Sequence, residues 1–313
     1  MKEKDYHIYI YGPVPSRRLG YSLGIDILPF KTCTLDCVYC QLSPTTNKTV
    51  QRKKFFPYDT VMSQVKKAIS SGKKIDYITF SGSGEPTLNL DLGKMIREIK
   101  KSTSIPVAVL TNSTLFIRES VRQSLMPADL VVPSLDAATQ DIFLRVNRPH
   151  KSLDINEIIK GLINFNKKYK ALLWLEIMLV KGLNDSPQHI KKLIKASSAI
   201  GPNKIQLNTV IRPPAEEFAK PLSRKDMEQI REMFGEKCEI IAQFHRKEQT
   251  SQSKNLERDI ISLIQRRPVT LLDISHSLGK HKNEIIKYID ILTDEKKIKE
   301  VKHKGLLYYE PRV

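Results

Sequence analysis

The chain has 313 residues, 40% hydrophobic and 27% charged, and Lys plus Arg number 52 against 34 Asp plus Glu, for a formal net charge of +18. Its longest apolar run, near residues 171–180, is broken by Glu176, and the start MKEKDYHIYIYG has no signal-peptide core; this excludes a membrane span and leaves a cytoplasmic globular protein with no membrane partner as the expectation. Four cysteines, three of them within eight positions, exclude a disulfide framework and point to metal or redox chemistry.

Between residues 21 and 244, short apolar runs alternate with amphipathic stretches. YSLGIDIL is followed by a predicted helix over 59–70, KIDYITF by one over 92–101, IPVAVLTN by 118–125, DLVVPSL by 155–168, ALLWLEIMLV by 186–198 and KIQLNTVI by 224–234, before a last run, CEIIAQF. Strands apolar at successive positions, each followed by a helix, are what a parallel sheet covered on both faces requires, so the fold class is α/β. Six such units, with no glycine-rich dinucleotide turn after the first strand, predict a partial (β/α)6 TIM-like barrel rather than a doubly wound sheet.

HRKEQTSQSKN is polar and reads as a linker, set at 245–254 between a barrel domain over 1–244 and an accessory domain over 255–313. In the latter, 256–265 is amphipathic, TLLDISHSLG predicts a short helix ending at Gly279, and 282–292 predicts a third with Ile285, Ile286, Ile289 and Leu292 along one side. KKIKEVKHKGLLYYEP alternates about Lys304-Gly305 as a hairpin does. Three helices and a hairpin resemble a small winged helix-turn-helix domain. Lys280, His281, Lys282, Asn283 and Lys287, with Lys302, His303 and Lys304 of the wing, would then meet phosphates and base edges, although such domains also dock proteins. The cationic excess permits a nucleic-acid or other polyanionic partner, and the lysine-rich composition of an AT-rich or heat-loving organism gives the same balance.

Cys33, Cys37 and Cys40 follow the first barrel strand, where the strand-end loops of β/α barrels carry chemistry. A structural zinc site closes with four protein ligands and a ferredoxin-type cluster with four thiolates, yet no fourth cysteine lies nearby in the sequence. Three thiolates on a [4Fe-4S] cube leave one iron open. C-x3-C-x2-C in this position, with Tyr39 immediately before the last cysteine, resembles the radical S-adenosylmethionine (SAM) superfamily. The longer run YGPVPSRRLGYSLGIDILPFKTCTLDCVYCQL resembles a subgroup of Fe-S oxidoreductases grouped with tRNA wyosine-synthesis enzymes. The resemblance implies a [4Fe-4S] cluster on Cys33, Cys37 and Cys40, SAM chelating the open iron with Tyr39 among its contacts, and a reduced ferredoxin or flavodoxin as electron donor. It further implies a 5′-deoxyadenosyl radical that abstracts hydrogen, with an RNA base, in tRNA, as the substrate. A small-molecule or protein substrate, or a cluster-bearing regulator that binds nucleic acid, stays open as an alternative.

The other strand ends also carry polar or glycine residues. SGSGEPT, residues 81–87, offers Gly82 and Gly84 for close backbone approach and Glu85 as acceptor for an ammonium group. It matches the superfamily's glycine-glycine-glutamate position for the SAM amine, with Ser83 in place of a glycine. Asn112, Ser134 and Asp136 suit ribose hydroxyls or the methionine carboxylate; Ser134, Asp136 and Glu85 equally suit helix N-termini. Glu176 points either into the barrel toward SAM or to a surface salt bridge. Arg17, Arg18, Arg148 and Arg212 would form a cationic rim if they gather at the barrel mouth. Cys238 reads as a small buried hydrophobe and Trp174 as core. Removal of residues 255–313 is expected to spare SAM cleavage, since the barrel is complete without them.

Overall fold

The computed structural model describes residues 9–16, 18–242, 256–278, 280 and 282–312; Arg17, Gly279, His281 and the expected linker lie outside the described residues, as do the side chains of Lys282, Asn283, Glu284 and Lys287. The chain opens with a hairpin of β1 (Ile10–Ser16) and β2 (Gly20–Ile25), then a small ladder of β3 (Thr32–Cys33) with β4 (Asn47–Lys48). Helices and strands then alternate: α1 (Tyr58–Ile69), β5 (Tyr77–Phe80), α2 (Leu92–Ser102), β6 (Val107–Thr111), α3 (Glu119–Leu125) and β7 (Leu130–Pro133). They continue through α4 (Gln140–Asn147), α5 (Ile155–Lys168), β8 (Leu172–Leu179), α6 (Pro187–Ile200), β9 (Lys204–Thr209), α7 (Arg224–Phe234) and β10 (Cys238–Ile240).

The sheet runs β1-β2-β5-β6-β7-β8-β9-β10 and is parallel from β2 onward. This is the expected partial barrel, with two additions. The antiparallel β1 was not predicted: IYGPVPS contains two prolines, which remove ladder donors and are tolerated because the strand lies at the sheet edge with its register broken between Tyr11 and Val14. The helix α4 is short and was also not expected. The helices sit where capping residues put them; α6 starts with Ser186 accepting from His189 N and Pro187 in its first turn, and ends at Gly201 in the left-handed region.

One face of each strand packs on the helices, through Leu23, Ile25, Ile78, Phe80, Val109, Leu175 and Leu207 among others. The opposite face is split by chemistry. Leu19, Ala108, Leu130 and Val132, with Trp174 beside them, form a separate apolar cluster. Above it Arg18 forks onto Glu176 (2.7 and 3.2 Å) and also donates to Gln206 Oε1 (3.2 Å), while Asn208 Nδ2 donates to Glu176 (3.0 Å). Glu176 thus points inward, as one reading expected, but its carboxylate is taken up by an interior ion pair rather than a surface one. Arg18 belongs to the β1–β2 turn, at the N-terminal ends of the strands, so it is not part of a rim at the mouth. The pair is 9% and 13% exposed, and Arg18→Ala is expected to cost about 3–5 kcal/mol in denaturant unfolding while iron uptake stays unchanged.

The C-terminal unit comprises α8 (Leu256–Arg266), β11 (Val269–Thr270), α9 (Leu271–Leu278), α10 (Lys282–Asp294), β12 (Ile298–His303) and β13 (Leu306–Pro311). Its three-stranded sheet, order β11-β13-β12, closes a core of Ile260, Leu263, Ile264, Ile274, Ile285, Ile289 and Leu292 that also takes in Val14 of β1. Lys304 and Gly305, at φ 49° and 74°, make the expected hairpin turn. Ile286 departs from the expected apolar side and is 39% exposed. The hairpin does not stand free: Lys304 Nζ donates to Val210 O (3.5 Å) and Tyr308 Oη to Ile211 O (3.2 Å), both in the loop after β9.

Candidate functional site

The cysteines lie on a loop, residues 26–41, that leaves the C-terminal end of β2, and backbone bonds hold this loop from several sides. Lys31 N donates to Ser83 O (2.8 Å), Glu85 N to Thr32 O (3.2 Å), and His150 N to Thr34 O (2.9 Å). Asp36 N donates to Asn147 O, Val38 N to Val146 O and Glu216 N to Val38 O, each at 3.0 Å. The glycines of SGSGEPT serve this packing. A Cβ on Gly84 would lie 2.0 Å from Thr32 O, and one on Gly82, whose φ is +151°, would lie 2.4 Å from Asp26 Cγ.

Each cysteine sulfur meets a side-chain N–H from outside the motif. Cys33 Sγ accepts from Asn112 Nδ2 (3.4 Å), Cys37 Sγ from Asn147 Nδ2 (3.4 Å), and Cys40 Sγ from Lys31 Nζ (3.0 Å). Lys31 is only 3% exposed and has φ 55°. Burial pushes the Cys33 thiol up to about 11, with the Glu85 charge adding to it, and pushes Cys37 well above its usual value, with Asp136 adding. Both are protonated at neutral pH until metal displaces the proton. Among the described residues no three His, Cys, Asp or Glu side chains gather as ligands of a single metal ion. Three thiols of one loop, each with a donor to share its charge, fit an iron-sulfur cluster and not a four-ligand zinc centre. Cys238 is buried at the start of β10, opposite Ile205, at the other end of the barrel.

Behind the sulfurs the expected residues form two hydrogen-bonded groups, one around Glu85 and Asn112 and one around Asp136 and Asn147. Glu85 Oε1 accepts from Thr87 N (3.0 Å), Thr87 Oγ1 (2.5 Å) and Thr111 Oγ1 (2.6 Å), and Oε2 accepts from Asn112 N (2.7 Å). It therefore caps the turn at Pro86–Leu88, as the alternative reading had it, and Oε2 keeps acceptor capacity. Burial raises its pKa, opposed by the donors from Asn112, Thr111 and Thr87. Asn112 Nδ2 also donates to Thr34 Oγ1 (2.8 Å). Tyr39 Oη donates to Asp136 Oδ2, which accepts from Asn147 Nδ2 as well (2.7 Å), while Asp136 Oδ1 accepts from Met178 N (2.9 Å). Asn112, Ser134, Asp136 and Asn147 line one small cavity together with Leu35 and Phe143.

Asn147 and Lys31 are the residues that sequence reasoning missed. Asn147 ends α4, the helix that was not predicted, and only the following Arg-Pro pair marks its position. Its buried Oδ1 has no hydrogen-bond partner among the described residues. Of the four arginines, Arg148 pairs with Glu216 near the mouth, and Arg212 lies 4.0 Å from Asp273 of the C-terminal unit.

Asp136 gives a pH signature to the metal-free chain. Burial pushes its carboxyl from 3.8 up to about 6. Between those values the folded form holds a proton that the unfolded form has released, so stability falls as pH rises through that window, by about 3 kcal/mol. Thermal midpoints of wild type and Asp136→Asn at pH 4 and pH 7 are expected to show a relative loss for wild type at pH 7.

A parallel, open β/α barrel with three clustered thiols and a buried carboxylate at the C-terminal ends of its strands defines a cluster-dependent enzyme. Residues 27–194 match the family model of the radical SAM superfamily. The chain belongs to this superfamily, whose cofactors are a [4Fe-4S] cluster and SAM. It is 36% identical to a UPF0026 protein of Methanocaldococcus jannaschii over 96% of this chain and 94% of that one. It is 38% identical to a "GTPase Obg" of Brachyspira hyodysenteriae over 96% of this chain, but spans only 45% of that relative's length. A dual-specificity RNA methyltransferase RlmN of Lawsonia intracellularis is 28% identical over 59% of this chain and 52% of its own. A radical SAM methyltransferase from Sphaerobacter thermophilus shares the fold, with a TM-score of 0.52 at 18% identity over 70% of this chain and 65% of that one. No helix among the described residues is long and apolar enough to cross a membrane.

Proposed function

We propose that the chain is a radical SAM enzyme acting on an RNA base, with Cys33, Cys37 and Cys40 holding the cluster and with Glu85, Asn112 and Asp136 holding SAM. The observation that carries the cofactor assignment is that Asn112 joins the Cys33 sulfur to Glu85 and Asn147 joins the Cys37 sulfur to Asp136, with Lys31 on the third sulfur, that of Cys40. When bound and reduced by an external one-electron donor, the cluster would supply reductive cleavage of the SAM sulfonium into methionine and a 5′-deoxyadenosyl radical for hydrogen abstraction.

The chain's own residues bind, orient and exclude water. Glu85 Oε2 takes the SAM ammonium group, and Gly82 and Gly84 bring the loop backbone close. Asn112 and Ser134 serve hydroxyl and carboxylate oxygens. Asp136 fixes Tyr39 beside Cys40 and Asn147 beside Cys37, while Lys31, Asn112 and Asn147 spread the negative charge of the sulfurs. Leu35 and Phe143 keep the cavity wall apolar.

An RNA substrate is supported by the +18 charge, by the likeness to the RNA methyltransferase, and by the motif's resemblance to tRNA wyosine-synthesis enzymes. The C-terminal unit has the element order of a winged helix-turn-helix domain. Its hairpin rests on the loop after β9, at the same barrel end as the cysteines, through Lys304 and Tyr308, and Lys302 of the hairpin is exposed for a polyanion. Anaerobic reconstitution with SAM and reductant is expected to yield 5′-deoxyadenosine, and none would reject the enzyme assignment. Modified-nucleoside profiles of tRNA from wild-type and deletion strains are expected to differ, and identical profiles would reject the tRNA substrate.

A further inference from the structure

One set of contacts between the C-terminal unit and the barrel reaches the loop that carries Glu85. Arg266, the last residue of α8, pairs with Asp26, and its Nη1 also donates to Ser83 Oγ (3.1 Å). Asp26 Oδ2 in turn accepts from Ser83 N (2.9 Å) and Ser83 Oγ (2.5 Å). On the other side of Gly82, Ser81 Oγ is hydrogen-bonded to Tyr11 Oη (2.7 Å), and the Arg266 guanidinium lies over the Tyr11 ring, 5.0 Å from its centroid. Both neighbours of Gly82 are therefore held by groups that Arg266 touches. Arg266 and Asp26 are 14% and 5% exposed at their side chains, so the pair is screened from water and removing one member leaves a buried charge behind.

The departure at Ser83 acquires a reason here. A glycine at this position would lack the hydroxyl that bridges Asp26 and Arg266, and the loop would keep only its backbone bond to Asp26. Gly82 itself sits at a φ of +151° with Asp26 packed against its Cα, a conformation that nothing in SGSG enforces alone.

We infer that Arg266 is a positioning residue for SAM, holding Ser81–Ser83 through Asp26 and Tyr11 so that the SAM-amine loop is formed only when the C-terminal unit is docked. This rests on the assignment of the SAM amine to Glu85. It reverses the expectation that residues 255–313 are dispensable for SAM cleavage, and it gives a substrate seated on the C-terminal unit a direct route to the cofactor.

The test uses the full-length, reconstituted protein, with SAM affinity measured by equilibrium dialysis and the change in the reduced cluster's electron paramagnetic resonance signal on adding SAM. Arg266→Ala is expected to weaken SAM binding about tenfold and to blunt that spectral change, with iron content at the wild-type level. Arg266→Lys, which keeps the charge beside Asp26, is expected to recover part of the loss. Tyr308→Phe removes a docking bond to Ile211 remote from the loop and is expected to leave SAM affinity unchanged. Wild-type affinity in Arg266→Ala while Glu85→Gln binds SAM weakly would overturn the inference and leave the site assignment standing. Wild-type affinity in both variants would overturn the site assignment itself. An equal loss in Arg266→Ala and Tyr308→Phe would assign the effect to docking in general and also overturn the role of Arg266.

Discussion

Replacing Cys33, Cys37 or Cys40 by alanine is expected to abolish the cluster, with loss of bound iron, visible absorption and the signal of the reduced state, and with it all SAM cleavage. A cluster held by three thiolates has no protein ligand to spare, and the sulfurs are individually matched: Asn112 to Cys33, Asn147 to Cys37 and Lys31 to Cys40. A lost thiolate leaves its donor facing an empty position, most severely at Cys40, where the ammonium of the buried Lys31 loses its sulfur partner. Cys238→Ala is expected to differ from all three. That thiol packs among apolar residues at the opposite end of the barrel, and burial raises it to about 12, so it remains an uncharged small side chain. Its removal is expected to cost about 1 kcal/mol of packing and leave iron content and spectrum unchanged. Loss of the cluster in Cys238→Ala would mean that the ligands had been misassigned.

The parallel barrel was legible because its signals are local. Runs such as KIQLNTVI need only their own composition to read as strands buried on both faces, and α7 begins at Arg224 because Ser223 and Asp226 form a capping box within four residues. The same locality explains the failures. Nothing within IYGPVPS says that its prolines will be tolerated at a sheet edge, since that depends on the partner β2. Arg18 lies in a run of cations that reads as surface, and only the pairing of β8 with β9 brings Glu176 and Gln206 side by side beneath it. At the site, the cysteines, Glu85, Asn112 and Asp136 announced themselves by position at strand ends. Asn147, Lys31 and Arg266 did not, because each acts on a residue far away in the chain or, for Lys31, through a backbone turn that folds it back onto Cys40. Residues proposed to touch the cofactor stand out by motif, whereas the residues that contact them are brought there by tertiary structure.

Glu85→Gln is expected to weaken SAM binding about 10- to 100-fold, and to lower 5′-deoxyadenosine formation accordingly, while the cluster still assembles. The change separates the observed cap of this side chain from its proposed role as partner of the SAM amine. As a cap it satisfies Thr87 N, Thr87 Oγ1, Thr111 Oγ1 and Asn112 N, and a glutamine of the same length with its carbonyl oxygen toward Thr87 and Thr111 keeps the first three. Its amide NH2 then faces Asn112 N–H, so one buried donor is left unpaired at about 1–3 kcal/mol. As the partner of an ammonium group it needs the negative charge, which glutamine lacks, and the loss of a charge-assisted bond falls on SAM rather than on the fold. Glu85→Ala, by contrast, leaves all four donors without their acceptor inside the barrel and is expected to destabilise the chain by several kcal/mol, so its inactivity would carry no information about SAM. The discriminating measurement is SAM affinity in Glu85→Gln at a temperature well below its melting point. A wild-type affinity there would make Glu85 a helix cap alone and move the SAM amine to another acceptor among the strand ends.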